Sequence, residues 1–181
     1  MFAEEELRAA GKHLAIVGPA ISQAQIDSIL PRSFVGKEDL VQSFLRCNGG
    51  SRTPKGCVMT GGNPAHRIPR NGLGKMQLEG FMSVSTDLND RMLPFRPIIG
   101  HHATMLRMYD AVPEMKAFLK QNVPCAFDHS GNDLCIDLEC GCIRFTAWED
   151  YRKGAVEIAS DFRFFILKYW INPEPTLESN F

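Results

Sequence analysis

Six cysteines, five histidines and 21 acidic side chains are the residues of this chain with chemistry to offer, and their spacing decides which chemistry. Cys140-Gly141-Cys142 is the closest cysteine pair. Alternation along a strand would point its two thiols to one face. Structural zinc asks for two such pairs at C-x2–4-C spacing, or for histidines in register. His101 and His102 do not supply them, because neighbours on a helix point about 100° apart. His129, between Asp128 and Ser130, has the composition of a Ser-His-Asp triad. Adjacent residues in a turn cannot meet as triad groups do, which are near in space and rarely in sequence. Asp128, Asp133 and Asp137 lack the frame of a calcium loop. Cys125 with His101 or His129 has no local signature of a cysteine–histidine pair. Asn71-Gly72-Leu73-Gly74-Lys75 lacks the spacing of a phosphate-binding loop. The chain is therefore expected to carry no catalytic, cofactor-binding or metal-ligating constellation, and the cysteines are expected to pack as small reduced hydrophobes.

Charge is the more telling pattern. The 181 residues are close to the globular average, with 44% hydrophobic and 23% charged side chains and a net charge of −1. That balance excludes intrinsic disorder, coiled coil and a global basic field for nucleic acid or an anionic membrane. The total conceals a division. Residues 1–100 carry 12 Lys/Arg against 9 Asp/Glu, and residues 101–181 carry 8 against 12. Residues 128–161 hold eight acids against Arg144, Arg152 and Lys153. Such a run is either a solvated face or an acidic surface for a basic partner. In the second case Asp128, Asp133, Asp137, Glu149 and Asp150 are the candidate partner-binding residues. Residues 50–75, with Arg52, Lys55, Arg67, Arg70 and Lys75, are the alternative contact, for an acidic partner.

The elements that position these residues follow from periodicity and breakers. Apolar residues at helical spacing predict helices over 20–30, ended by Pro31, and 38–47, ended by Asn48-Gly49. Residues 50–75 read as a long Gly/Pro-rich loop, and 77–84 as a strand. A helical stretch over 103–122 is divided by Pro113, placed as the first residue of a second helix over 114–121. A strand over 123–128, a turn over 129–133, a return strand over 134–138, a second turn and a strand over 142–147 form a meander. A strand over 155–158 and a helix from Ser160 or Asp161 to about Ile171 complete an α+β pattern in one domain. The start, with Glu4, Glu5 and Glu6, is not a signal peptide, and no apolar run approaches the ~20 residues of a membrane span. A soluble, cytoplasmic protein is expected.

Two motifs carry a resemblance. Leu30-Pro31, a helix, and Phe44-Leu45-Arg46-Cys47-Asn48-Gly49-Gly50 are similar to the opening of the SUKH superfamily, the Smi/Knr-like domains. The segment from Pro124 to Leu138 resembles that family's hairpin, with Phe127-Asp128 closing a strand, Gly131-Asn132 in the turn and Asp137-Leu138 at the end of the return strand. Gly141 at the head of the next strand, and Ser160, Phe162 and Phe165 at the final helix, fit as well, so the likeness covers residues 20–170. The 16 residues between Pro31 and Asn48 exceed the usual separation, with an insertion near residues 34–37. The resemblance implies helices packed on a curved, largely antiparallel sheet. It also implies a non-enzymatic binding role, most often as an immunity protein that neutralises a cognate polymorphic toxin, and otherwise as a regulatory scaffold binding a host protein. Nuclease toxins hold phosphates in basic clefts, so an acidic meander would complement them and speed association. An unrecognised hydrolase is the third alternative.

Overall fold

The computed structural model describes residues 9–10, 16–17, 24, 51–52, 58–60, 75–82, 98–128, 130–149, 154–165, 167 and 170–171. Of the expected helices over 20–30 and 38–47 only residue 24, which is helical, is described, and the first of the two resemblance motifs lies outside the described residues.

The described chain is α+β. Its strands are β1 (Ile16–Val17), β2 (Ser51–Arg52), β3 (Val58–Thr60), β4 (Lys75–Phe81), β5 (Asn122–Asp128), β6 (Asp133–Asp137), β7 (Ile143–Thr146), β8 (Val156–Ala159) and β9 (Trp170–Ile171). Helices α1 (Ile98–Met108) and α2 (Pro113–Gln121) stand between β4 and β5, and a single turn, α3 (Phe162–Phe164), follows β8. The strands run in the order β1-β2-β4-β5-β6-β7-β8, with β3 paired to β4 and β9 to β3. Every pairing is antiparallel.

Local chemistry explains the central elements. Pro113 is the first residue of α2, where its missing N–H would have no helical partner. Glu114 sits in the first turn and Lys120 in the last, each complementing the helix dipole. Met115 and Leu119, four apart, are its buried face. Ile98 and Met105 do the same for α1. Helix α1 begins five residues before the expected start at 103, directly after Pro97.

β5 and β6 are buried along their whole lengths and form the centre of the core. Val123 faces Ile136 and Ala126 faces Leu134. Between these pairs the register shifts at Cys125, so that Pro124, which cannot donate to a ladder, lies beside a bulge. A second aromatic layer joins Phe81 to Phe162 and Phe165, with ring centroids 6.3 and 6.4 Å away.

Two expectations are corrected. Residues 50–75 are not wholly loop, since β2 and β3 lie within them and pair with β4. Strands of two or three residues leave no alternation to read; their partners define them. The final helix does not reach Ile171. Asp161 caps its start, accepting from the Phe164 N–H at 2.6 Å. Phe162 and Phe165 are buried as expected. Trp170 and Ile171, however, pair with Met59 and Val58. An aromatic and a β-branched residue suit a strand once a partner is available.

Candidate functional site

The residues singled out for chemistry meet at the two ends of the β5–β6 hairpin and at the turn into β7. At the β5–β6 turn, the Asp128 N–H donates to the Asn132 carbonyl at 3.0 Å, and the Gly131 N–H to the Asp128 carbonyl at 3.2 Å. Gly131 has φ 84°, a left-handed conformation that favours glycine. The Asp128 carboxylate accepts from the backbone and the side-chain N–H of Asn132, both at 2.8 Å. The Asn132 side-chain oxygen accepts in turn from the Trp148 N–H at 3.3 Å. Trp148 stacks on Tyr109, with centroids 5.5 Å apart, and the Tyr109 hydroxyl donates to the Trp148 carbonyl at 2.9 Å. The Gly-Asn turn thus holds the segment after β7, which in turn holds Tyr109, the residue that follows α1.

Asp133, fully buried, meets Nε2 of His101 at 2.6 Å. Nε2 of His102 donates to the Leu119 carbonyl, also at 2.6 Å. The adjacent histidines point apart, as helical geometry requires, and anchor α1 to two different elements. Cys125 does not pair with His101. Its thiol donates to the Leu134 carbonyl at 3.2 Å. Burial, and then the charge of Asp133, push the thiols of Cys125 and Cys135 far up, so neither is a nucleophile at neutral pH.

The far end of β6 is built around Asp137. One carboxylate oxygen accepts from the backbone N–H of Glu139 at 2.8 Å and of Cys140 at 3.2 Å. The other pairs with Arg144 at 3.0 Å. Burial alone would raise this carboxyl. The two N–H donors, Arg144 and the Cys140 thiol outweigh burial and hold it below the ordinary carboxylate range. The Gly141 N–H donates to the Asp137 carbonyl at 2.8 Å, and Gly141 has φ 76°. This tight turn brings the thiol of Cys140 to 2.7 Å from Sγ of Cys142. Nε of Arg144 donates to the same sulfur at 3.5 Å. Cys140 is exposed and Cys142 buried. Burial and the thiol contact push Cys142 up to about 12, against the pull of Arg144.

No family model, curated protein or solved structure matches the chain.

The candidate acidic surface is much reduced by burial. Asp128, Asp133 and Asp137 are 5%, 0% and 1% exposed, and their carboxylates have the internal partners given above. They support the hairpin and do not present charge to a partner. Glu149 is exposed, and Asp150 lies outside the described residues, as do His129, Cys47, Cys57 and most of residues 50–75. Glu139 and Glu157 are also exposed. Sequence reasoning paired none of His101, Arg144 or Tyr109 with its partner. The alternation of β6, which sets Asp133, Cys135 and Asp137 against the apolar Leu134 and Ile136, is equally the pattern of a solvent-facing row, and for Asp137 it left exposure and a hydrogen bond to the turn both open. Among the described residues, no helix is long and apolar enough to cross a membrane.

Proposed function

We propose that this chain is a non-enzymatic protein-binding domain of the Smi/Knr-like kind, an immunity protein that binds and neutralises a cognate toxin. The observation that carries the proposal is the use made of the Pro124–Leu138 motif. Asp128, Asn132, Asp133 and Asp137, which in the sequence look like reactive groups, serve internal hydrogen bonds: Asp128 and Asn132 close the hairpin turn, Asp133 meets His101 of α1, and Asp137 holds the turn into β7. The motif is a scaffold, and a scaffold with varied exposed residues around it suits recognition of a protein. The resemblance of the two motifs to that family supplies the kind of partner. The described candidate for contact is exposed Glu149, joined by Glu139 and Glu157, which offer charge to a basic surface such as a nuclease cleft.

The test is expression of the gene adjacent to this chain's own, with and without the chain. The expected outcome is growth arrest by the neighbour alone, relief on co-expression, and a stable complex by light scattering. A neighbour that is neither toxic nor bound overturns the proposal, and a neighbour that is bound but harmless favours a regulatory scaffold. Reversal of Glu139, Glu149 and Glu157 to lysine is expected to weaken the complex and flatten its salt dependence. Unchanged binding would move the contact to the basic residues 50–75.

A further inference from the structure

The Cys140–Cys142 turn is not explained by a binding role. The two sulfurs are 2.7 Å apart, against about 2.05 Å in a disulfide. A tetrahedral zinc ion with two Zn–S bonds of ~2.3 Å would hold them about 3.8 Å apart. Asp137, whose carboxylate could complete a three-ligand set with the cysteines, has both oxygens engaged, one of them by the positive Arg144. A cation would have to displace that guanidinium. The arrangement suits sulfur–sulfur chemistry better than metal binding. The two thiols also differ in access, with Cys140 open to solvent and Cys142 enclosed. That division separates an attacking cysteine from a resolving one.

We propose that Cys140 and Cys142 form a thiol–disulfide exchange site that reacts with low-molecular-weight disulfides. The thiolate of Cys140 attacks one sulfur of the external disulfide, a mixed disulfide forms, and the first thiol leaves. The thiolate of Cys142, its proton passed to solvent, then attacks Sγ of Cys140 and expels the second thiol. The external disulfide is reduced to two thiols, and the protein dithiol is oxidised by two electrons and two protons to the Cys140–Cys142 disulfide. Arg144 faces the sulfur of Cys142 and favours its charged form. Gly141 allows the tight closure, and a disulfide across a single residue with one sulfur open to solvent belongs to the labile, reversible class. In a reducing compartment such bonds are transient and serve as redox sensors or exchange partners.

The full chain is incubated natively with oxidised glutathione at mildly alkaline pH, alkylated, unfolded, alkylated again with a second reagent and digested with trypsin, which releases residues 121–144 as one peptide. The expected product has Cys140 joined to Cys142, two hydrogens lighter, and is restored by dithiothreitol. Cys125 and Cys135 in the same peptide are alkylated only after unfolding, which reports that the fold stays intact. Cys142→Ser is expected to retain a glutathione adduct on Cys140, and Cys140→Ser to take up none. Both thiols remaining free in the wild type would overturn the proposal. So would a wild-type adduct on Cys140 as persistent as that of Cys142→Ser. Incubation with zinc alone is the third arm: retention of one ion after dialysis, with both thiols protected and no loss of mass, would overturn it in favour of a metal site. None of these outcomes bears on toxin binding.

Discussion

Asp137 shows how one side chain can couple stability to pH. Its carboxyl is held below the ordinary range by two backbone N–H donors and Arg144, which together outweigh burial. The folded state therefore binds its proton less readily than the unfolded chain does. The stabilisation is complete above the ordinary carboxylate pKa of about 4 and is lost as pH falls through the folded value. Asp137→Asn keeps an oxygen for the two N–H donors but loses the charge facing Arg144. It is expected to be less stable than the wild type at neutral pH, with the gap narrowing on acidification, as read from urea midpoints at a series of pH values. A gap that stays constant to strongly acid pH would show that Asp137 has no such role. The same logic separates the cysteines. Cys125 and Cys135 are sealed in the core, whereas Cys140 reaches solvent two residues from its partner.

At the scale of elements, helix α1 is docked by two histidines facing different ways. His101 reaches Asp133 on β6 and His102 reaches the end of α2. The first contact is the more consequential, because Asp133 is fully buried. Removing the hydrogen-bond partner of a buried polar group costs about 1–3 kcal/mol. His101→Ala is expected to fall in that range in equilibrium urea unfolding. Asp133→Asn in the same chain is expected to recover part of the loss, because a neutral amide tolerates burial better than a carboxylate. Additive losses in the double variant would show that the pair is not coupled. The helices were legible because Pro113 and a four-residue apolar spacing are local signals. The C-terminal strand β9 was not, because its pairing with β3 joins residues more than a hundred positions apart.

At the scale of the whole molecule, the sheet order places β5 and β6 at the centre, covered along their whole lengths. The last structure to open under native conditions is the part with the most buried, fully paired backbone. Amides of Val123, Ala126, Leu134 and Ile136 are expected to exchange most slowly among the described residues, and those of β8 and α3 faster, by hydrogen exchange with mass spectrometry or NMR. Faster exchange in β5 and β6 than in β8 would place the stable core elsewhere. The central position of the hairpin also accounts for its polar residues. Asp128, Asn132, Asp133 and Asp137 lie at the two ends of strands that have no solvent face, so each must find its partner within the protein.

Legible in the amino-acid sequence were the α+β class, the hairpin with its Gly-Asn turn, the helix break at Pro113 and a helix cap at Ser160 or Asp161. Each rests on residues within a few positions of one another, where backbone preference and hydrogen-bonding reach act directly. The tertiary structure decided which acids are surface and which are support. Eight acids in 34 residues read as an acidic surface in one dimension. Burial depends on what packs over a strand, and α1, α2 and the neighbouring strands come from distant parts of the chain. Only in three dimensions does His101 meet Asp133, does Arg144 stand between Asp137 and Cys142, and do two thiols separated by one glycine come within 2.7 Å of each other.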